Sequence, residues 1–303
     1  MSEDKLIEIF CAVDDFYQEF SATLDAKLLS DGRLQRRRAR SLSTSETLTL
    51  IIYFHHCRFR NFKHYYVHFV RPYLASYFPG LPSYSRFIQW IPQTLLALLN
   101  FVCNRCLGSA TGVQYIDSTP LAVSHNRRIK QHRTFKGLAK RGKTSVGWFF
   151  GFKLHLIINH LGEIVSFLIT PGNVSDVNHE TVEKLCKKVW GKLFGDRGYI
   201  SKVLREKLHE KGIELISKVR KNMKPQALPL MDSVMLAQRG VVECSIDALK
   251  NQAYVEHSRH RSFTGLVSNI LGAIAAFAFT EKKPKPAFKF PFLVKVEPSL
   301  LLP

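Results

Sequence analysis

The sequence predicts a mixed α/β protein, with an α/β core that follows a helical region and precedes one further helix. Three observations predict it. Between about residues 108 and 262, β-branched and aromatic runs alternate with helical patterns in the order strand, hairpin, helix, strand, helix, strand. Residues 1–107 carry helix-start signals ahead of apolar runs. Gly265 to Thr280 is apolar enough for a buried helix, but Ser268, Asn269 and Gly272 interrupt it and it falls short of the ~20 residues of a membrane span. The expected boundaries are therefore 1–107, 108–262 and 263–303, the last closing in a loose Lys/Pro-rich tail from Lys282.

Each element has a local reason. Ser43 and Glu46 stand three apart before Leu48, Leu50, Ile51, Ile52 and Phe54, a capping box opening a helix. Phe78-Pro79-Gly80-Leu81-Pro82 turns the chain, and Ser83 or Ser85 caps the next helix through Phe87, Ile88 and Trp90. Two helices behind the basic tract Arg36, Arg37, Arg38, Arg40 suit a helix-turn-helix-like DNA reader, and equally a helical bundle with a basic surface. Val113 to Ile116 reads as a short strand ending at Asp117. Phe149 to Ile158 and Ile164 to Thr170 form a hairpin about Asn159-His160-Leu161-Gly162. A helix over His179 to Trp190, a strand at Lys192 to Gly195, a helix over Lys202 to Lys211 and a strand at Glu214 to Ser217 complete the core.

Composition narrows the function. Lys and Arg number 44 against 24 Asp and Glu, a net charge of +20, which points to a polyanionic partner, nucleic acid above all. With 46% apolar residues the chain has the means to build a core, and wholesale disorder is excluded. Six scattered cysteines do not make a disulfide scaffold, and the lone Cys103-x-x-Cys106 reads as buried thiols before a metal site. Ser2, Glu3 and Asp4 after Met1 do not read as a signal peptide, so the expectation is a cytoplasmic protein with no membrane partner.

Three acids stand out by context. Asp117 ends an apolar strand; Asp196 follows another in Gly195-Asp196-Arg197-Gly198-Tyr199; Glu243 lies on a helix with Arg239 at i−4 and Lys250 at i+7, all on one face. Val242, Ile246 and Leu249 form the adjacent apolar stripe that would hold this helix on a sheet. Converging carboxylates suit hard divalent cations, and two such ions ~3.5–4 Å apart serve in-line phosphoryl transfer. Without metal they would repel one another and the phosphates of DNA.

The ordered set Phe78-Pro79-x-Leu81-x-Ser83-Tyr84-Ser85-Arg86-Phe87, Tyr115-Ile116-Asp117-Ser118, Phe135-Lys136-Gly137-Leu138-Ala139-Lys140-Arg141-Gly142-Lys143, Gly147-Trp148-Phe149-x-Gly151-Phe152-Lys153-Leu154-His155, Thr170-Pro171-Gly172-Asn173 and Gly195-Asp196-Arg197-Gly198-Tyr199 resembles the DDE transposases of bacterial insertion sequences, most closely the insertion sequence 982 family, over roughly residues 40–285. The resemblance implies an RNase H-like catalytic core with Asp117, Asp196 and Glu243 as catalytic, metal-binding triad and Mg²⁺ or Mn²⁺, two ions, as cofactor. It implies double-stranded DNA, transposon ends and target, as partner, and a homodimer or higher oligomer. Related transposases carry Tyr-x-x-Arg-x-x-x-Glu-x-x-x-x-x-x-Lys around the third acid; here Arg239, Glu243 and Lys250 match and Leu236 replaces the Tyr. Asp247, one turn on, is the rival third acid, and Asp176 a second rival that fits a helix cap or a supporting role better.

Between Ser118 and Gly162 no acid occurs, while Arg127, Arg128, Lys130, Arg133, Lys136, Lys140, Arg141, Lys143 and Lys153 supply nine positive charges. Such a block would draw and position DNA phosphates without reading bases. Arg197, Lys202, Arg205, Lys218, Arg220, Lys221 and Lys224 form a second cluster near Asp196, and Arg239 and Lys250 would clamp phosphate beside the third acid. Gly137 to Thr144 matches the P-loop expression, but polar residues precede it and a strand-like run follows, so no nucleotide cofactor is expected. His257 to Arg261 lacks zinc-hydrolase spacing and would touch DNA or cap the last helix. The expected activity is cleavage at the element's ends followed by strand transfer; an RNase H-like nuclease without strand transfer and a catalytically silent DNA-binding repressor are the alternatives.

Overall fold

A computed structural model describes residues 3–30, 40–145, 147–218, 223, 228–256 and 260–286. Arg36 to Arg38, Arg220, Lys221, Lys224, His257 and most of the Lys/Pro-rich tail lie outside the described residues. In chain order the helices are α1 (Glu3–Ser30), α2 (Thr44–His56), α3 (Phe62–Tyr65), α4 (Arg71–Tyr73), α5 (Tyr84–Phe101), α6 (His179–Leu185), α7 (Lys202–His209), α8 (Leu230–Ala237), α9 (Gly240–Asp247) and α10 (Phe263–Ala278). The strands are β1 (Val113–Ser124), β2 (Lys140–Lys143), β3 (Trp148–Asn159), β4 (Ile164–Pro171), β5 (Gly191–Gly195) and β6 (Ile213–Ser217). The chain forms two compact units: residues 1–106, 133–135 and 248–280, and residues 107–132, 136–247 and 281 onward.

The first unit is helical. Ser43 caps α2 through the expected box: its Oγ accepts from the Glu46 N–H at 3.0 Å, and the Glu46 carboxylate accepts from the Ser43 N–H at 2.6 Å. Ser83 caps α5. α10, set apart on sequence as a C-terminal piece, packs against α2 and α5 of this unit, burying Leu266, Ile270 and Ile274. The small residue Gly272 that interrupts its apolar run has a packing reason: a Cβ there would lie 3.0 Å from the His55 ring and 3.1 Å from Ile51. No helix among the described residues is long and apolar enough to cross a membrane. Of the Cys103-x-x-Cys106 pair, expected as buried thiols, Cys103 is exposed and Cys106 half-buried; Cys11 and Cys244 are exposed, Cys57 is half-buried and Cys186 is buried. Cys103 and Cys106 sit on a π-helical turn, Val102–Cys106.

The second unit is built on one sheet of order β2-β3-β1-β5-β6, with β4 on β3 beside β2. β1 runs antiparallel to β3 and parallel to β5, and β5 parallel to β6. The hairpin falls where predicted, with Asn159 Oδ1 accepting from the N–H groups of Leu161 and Glu163 and Gly162 at φ +80°. α6 and α7 cover one face through Ile116, Ile157, Leu193, Leu215, Val182, Leu185, Leu204 and Leu208. The helix expected over His179 to Trp190 ends at Leu185, because the chain must turn through Gly191 at φ +79° to enter β5.

β1 corrects the expectation most. It does not end at Asp117 but continues to Ser124, paired with β3 throughout, and it contains Pro120. Proline is tolerated in a strand where one side carries no ladder. β5 pairs with β1 only at Val113, Gln114 and Tyr115, so the β5 side of β1 is open at Pro120.

Candidate active site

Where β5 leaves β1, two of the predicted acids meet. Tyr115 pairs with Phe194; Asp117 stands two residues further along β1, and Asp196 two residues beyond Phe194, just past the end of β5. Equal offsets from a paired position on strands ~4.8 Å apart bring the two acids near each other, and the Asp196 charge is felt at Asp117. Asp196 starts a 3₁₀ turn, Arg197–Tyr199, and its Oδ1 accepts from the Gly198 N–H. Glycine is required at 198 for this carboxylate to hold its place, since a Cβ would lie 2.7 Å from Asp196 Oδ1.

The third acid arrives on α9, which packs on β1 and β3 through buried Val241, Val242 and Ser245. Arg239 immediately precedes α9, and its guanidinium ion-pairs with Glu243, one turn on, and with Asp117 Oδ2 at 3.6 Å. One side chain thus bridges two of the three acids. Asp117 is mostly buried, its Oδ1 accepting from the Ser118 N–H at 2.8 Å. Burial pushes its carboxyl up from 3.8 to about 6; the Ser118 N–H and Arg239 pull the other way, while Asp196 and Glu243 push it further up. The carboxylates felt by Asp117 are therefore Asp196 and Glu243. Asp247 lies exposed at the end of α9.

Lys250 departs from the expected single face. α9 ends at Asp247 and the chain winds as a π-helix over Ala248–Gln252, so the interval from Glu243 to Lys250 is not α-helical throughout. The Lys250 ammonium pairs with Glu256 at 2.8 Å.

Asp176 is not the cap of α6; Asn178 takes that role, accepting from the Thr181 N–H at 2.9 Å. Asp176 instead accepts from Ser118 Oγ at 2.6 Å and pairs with Lys153 Nζ at 3.0 Å. Lys153 is buried, so it serves this pair and not a DNA-facing surface as its place in the basic block suggested. His155, paired with Ser118 across β1 and β3, is fully buried and shares a 2.9 Å hydrogen bond with Thr170 Oγ1. Burial lowers its pKa to about 4, Asp176 opposing and Lys153 adding, so the ring is neutral. Tyr199 is also buried; burial first, then Asp117, Asp176 and Asp196, hold its phenol neutral, and its hydroxyl has no hydrogen-bond partner among the described residues. The sequence did contain a signal for this supporting cluster: Lys153 and His155 are polar at an i, i+2 interval inside an otherwise apolar strand.

The basic residues predicted to meet DNA are displayed on the same unit. Arg127 and Arg128 are exposed on a 3₁₀ helix, Asn126–Gln131, while Lys136 and the edge-strand residues Lys140, Arg141 and Lys143 are exposed as well. The P-loop-like segment forms β2, paired antiparallel with β3, in place of a strand-loop-helix cradle.

Among the described residues no three His, Cys, Asp or Glu side chains are gathered closely enough to hold a metal ion, and Arg239 supplies the positive charge between Asp117 and Glu243. The donor chemistry nevertheless fits a hard divalent cation. All three groups are carboxylates, and the charges of Asp196 and Glu243, which add to the burial-driven rise of the Asp117 pKa, call for positive charge among them.

Residues 107–263, just over half of the chain, match the family described as Transposase DDE domain. No match is found among curated proteins. A solved structure, the cryo-EM structure of a piggyBac transposase synaptic complex with hairpin DNA, is 11% identical, with 90% of this chain and 72% of that chain covered at a TM-score of 0.46.

Proposed function

The chain belongs to the transposase DDE-domain family and is a DDE-type DNA transposase; from that premise we propose that it is an insertion-sequence transposase, of the insertion sequence 982 type, in which Asp117, Asp196 and Glu243 are the catalytic triad. The observation that carries the assignment is the bridge from Asp117 through Arg239 to Glu243, with Asp196 just past the end of the adjoining strand and its charge felt at Asp117. Mg²⁺ or Mn²⁺, as two ions, would be held by these carboxylates and would supply Lewis acidity at the scissile phosphate. Asp117 is held by the Ser118 N–H and aimed by the Ser118–Asp176–Lys153 chain behind it. Arg239, freed from the carboxylates when cations take them, is placed to hold a phosphate oxygen, with Lys250 assigned the same task. Arg127, Arg128, Lys136, Lys140, Arg141 and Lys143 attract and position the DNA backbone.

In this reading the enzyme hydrolyses a phosphodiester at each end of its element, freeing a 3′-hydroxyl, and that hydroxyl attacks target DNA. Residues 1–107 recognise the ends and join subunits, since pairing two ends in one complex calls for at least two copies, and the protein works in the cytoplasm. The test is nicking of end-containing DNA in Mg²⁺. Asp117→Asn and Asp196→Asn should abolish nicking while DNA binding persists, and Glu243→Gln should do so where Asp247→Asn does not. Cleavage surviving in Asp117→Asn would refute the triad, and cleavage without joined products would reduce the protein to a nuclease.

A further inference from the structure

The basic block presents more than charge. Trp148 opens β3 opposite Lys143 of the edge strand β2, and the residue is 52% exposed. Arg141 and Lys143, two apart on β2 and so on one face, both lie against that ring, the Arg141 guanidinium carbon 4.6 Å and the Lys143 ammonium 5.7 Å from its centroid. The Trp148 carbonyl accepts from Asn126 Nδ2 at 2.6 Å, which ties the 3₁₀ helix carrying exposed Arg127, Arg128 and Lys130 to the same corner. Two cations thus lie against one half-exposed indole, and a turn bearing three more is tied to its backbone.

We propose that Trp148, flanked by Arg141 and Lys143, is a stacking platform for an unpaired DNA base. Phosphate attraction alone would be served by lysines and arginines, with no aromatic among them. Protection of an edge strand explains the cations of β2 but not a large apolar ring left half in water. A duplex keeps the faces of its bases stacked inside, whereas a frayed or single strand offers them, and an aromatic set in a cationic track is the feature that receives them without sequence preference. This site rests on the DNA-processing reading and adds to it a ligand state: DNA whose bases have been unstacked, as at an end opened for cutting.

The experiment uses the full-length protein and a short single-stranded oligonucleotide carrying 2-aminopurine, against the same sequence as duplex. Wild type should quench the 2-aminopurine. In Trp148→Ala the ratio of single-strand to duplex affinity should fall about fivefold or more, and Trp148→Phe should restore most of it. Arg141→Gln should weaken both DNAs together. An unchanged ratio in Trp148→Ala, with wild type binding both DNAs, overturns the platform and leaves the transposase reading intact. A change in oligomeric mass without any change in DNA affinity also overturns it, in favour of a contact between copies. Absence of duplex binding by wild type would defeat the DNA-processing reading itself, and the platform with it.

Discussion

Replacing Asp117 with Asn should make the metal-free protein more stable while destroying its activity. The structure sets the magnitude. Folding raises this carboxyl from 3.8 to about 6, chiefly through burial. A group whose pKa is raised on folding favours the folded state when protonated; that contribution is complete below pH ~3.8 and is lost as pH rises through about 6. At ~1.4 kcal/mol per pKa unit, the ionised carboxylate costs the folded protein about 3 kcal/mol above pH 7. Asn carries no charge to desolvate, and its amide oxygen still accepts from the Ser118 N–H. Thermal unfolding in EDTA should therefore place Asp117→Asn above wild type at pH 8, by about 6–12 °C for a unit of this size, with the gap closing as pH approaches 4. A variant equal to or less stable than wild type at pH 8 would refute the claim that Asp117 sits ionised against its surroundings.

Three further outcomes follow from the same geometry. Mg²⁺ or Mn²⁺ without DNA should raise the melting temperature of wild type, by about 2.7 kcal/mol of stability at a hundredfold excess over Kd, and should leave Asp117→Asn nearly unmoved; equal shifts in both would place the cation elsewhere. Gly198→Ala should lower nicking at least tenfold with duplex binding retained, because its Cβ would stand 2.7 Å from Asp196 Oδ1 and push that carboxylate aside; unimpaired nicking would remove Asp196 from the site. Ser43→Ala should cost about 1 kcal/mol in chemical denaturation by breaking the α2 capping box, with no pH dependence of the kind expected at Asp117.

The sequence made the elements legible where period and punctuation agreed. The β3–β4 hairpin, β5, β6 and the α2 capping box rest on local signals, namely turn chemistry, β-branched runs and a cap three residues ahead of Glu46. The extent of β1 was not legible, because Pro120 argues against a strand unless one knows that β5 stops alongside residue 115. That is a long-range fact. The same holds for Lys153. A cation inside a basic block looks like surface until β3 is known to be covered and Asp176 to lie within 3.0 Å. The proposed triad stands out in the sequence as three acids in context, but Arg239 as the bridge between two of them depends on how α9 docks on β1, which no i, i+4 spacing reveals. Lys250 shows the converse failure: helical spacing assumed a uniform helix, and the π-turn from Ala248 breaks it.

The location of the site follows from unequal strand lengths. β1 spans twelve residues and β5 five, so the ladder between them ends while β1 goes on. A sheet interior would have to bury the acids against paired backbone; beyond Tyr115 and Phe194 the ladder has ended, so Asp117 and Asp196 have no β1–β5 pairing to satisfy. Mutual repulsion would still drive them apart: Asp196 and Glu243 add to the rise in the Asp117 pKa that burial chiefly causes. Arg239, paired with Asp117 and Glu243, and the Ser118 N–H on Asp117 both offset it before any cation or phosphate arrives. Removing the guanidinium should therefore both destabilise the free protein above pH 6 and raise the Asp117 pKa further, whereas a purely phosphate-binding arginine would leave the metal-free titration unchanged. Arg239→Gln, followed by the pH dependence of unfolding in EDTA, separates these two roles.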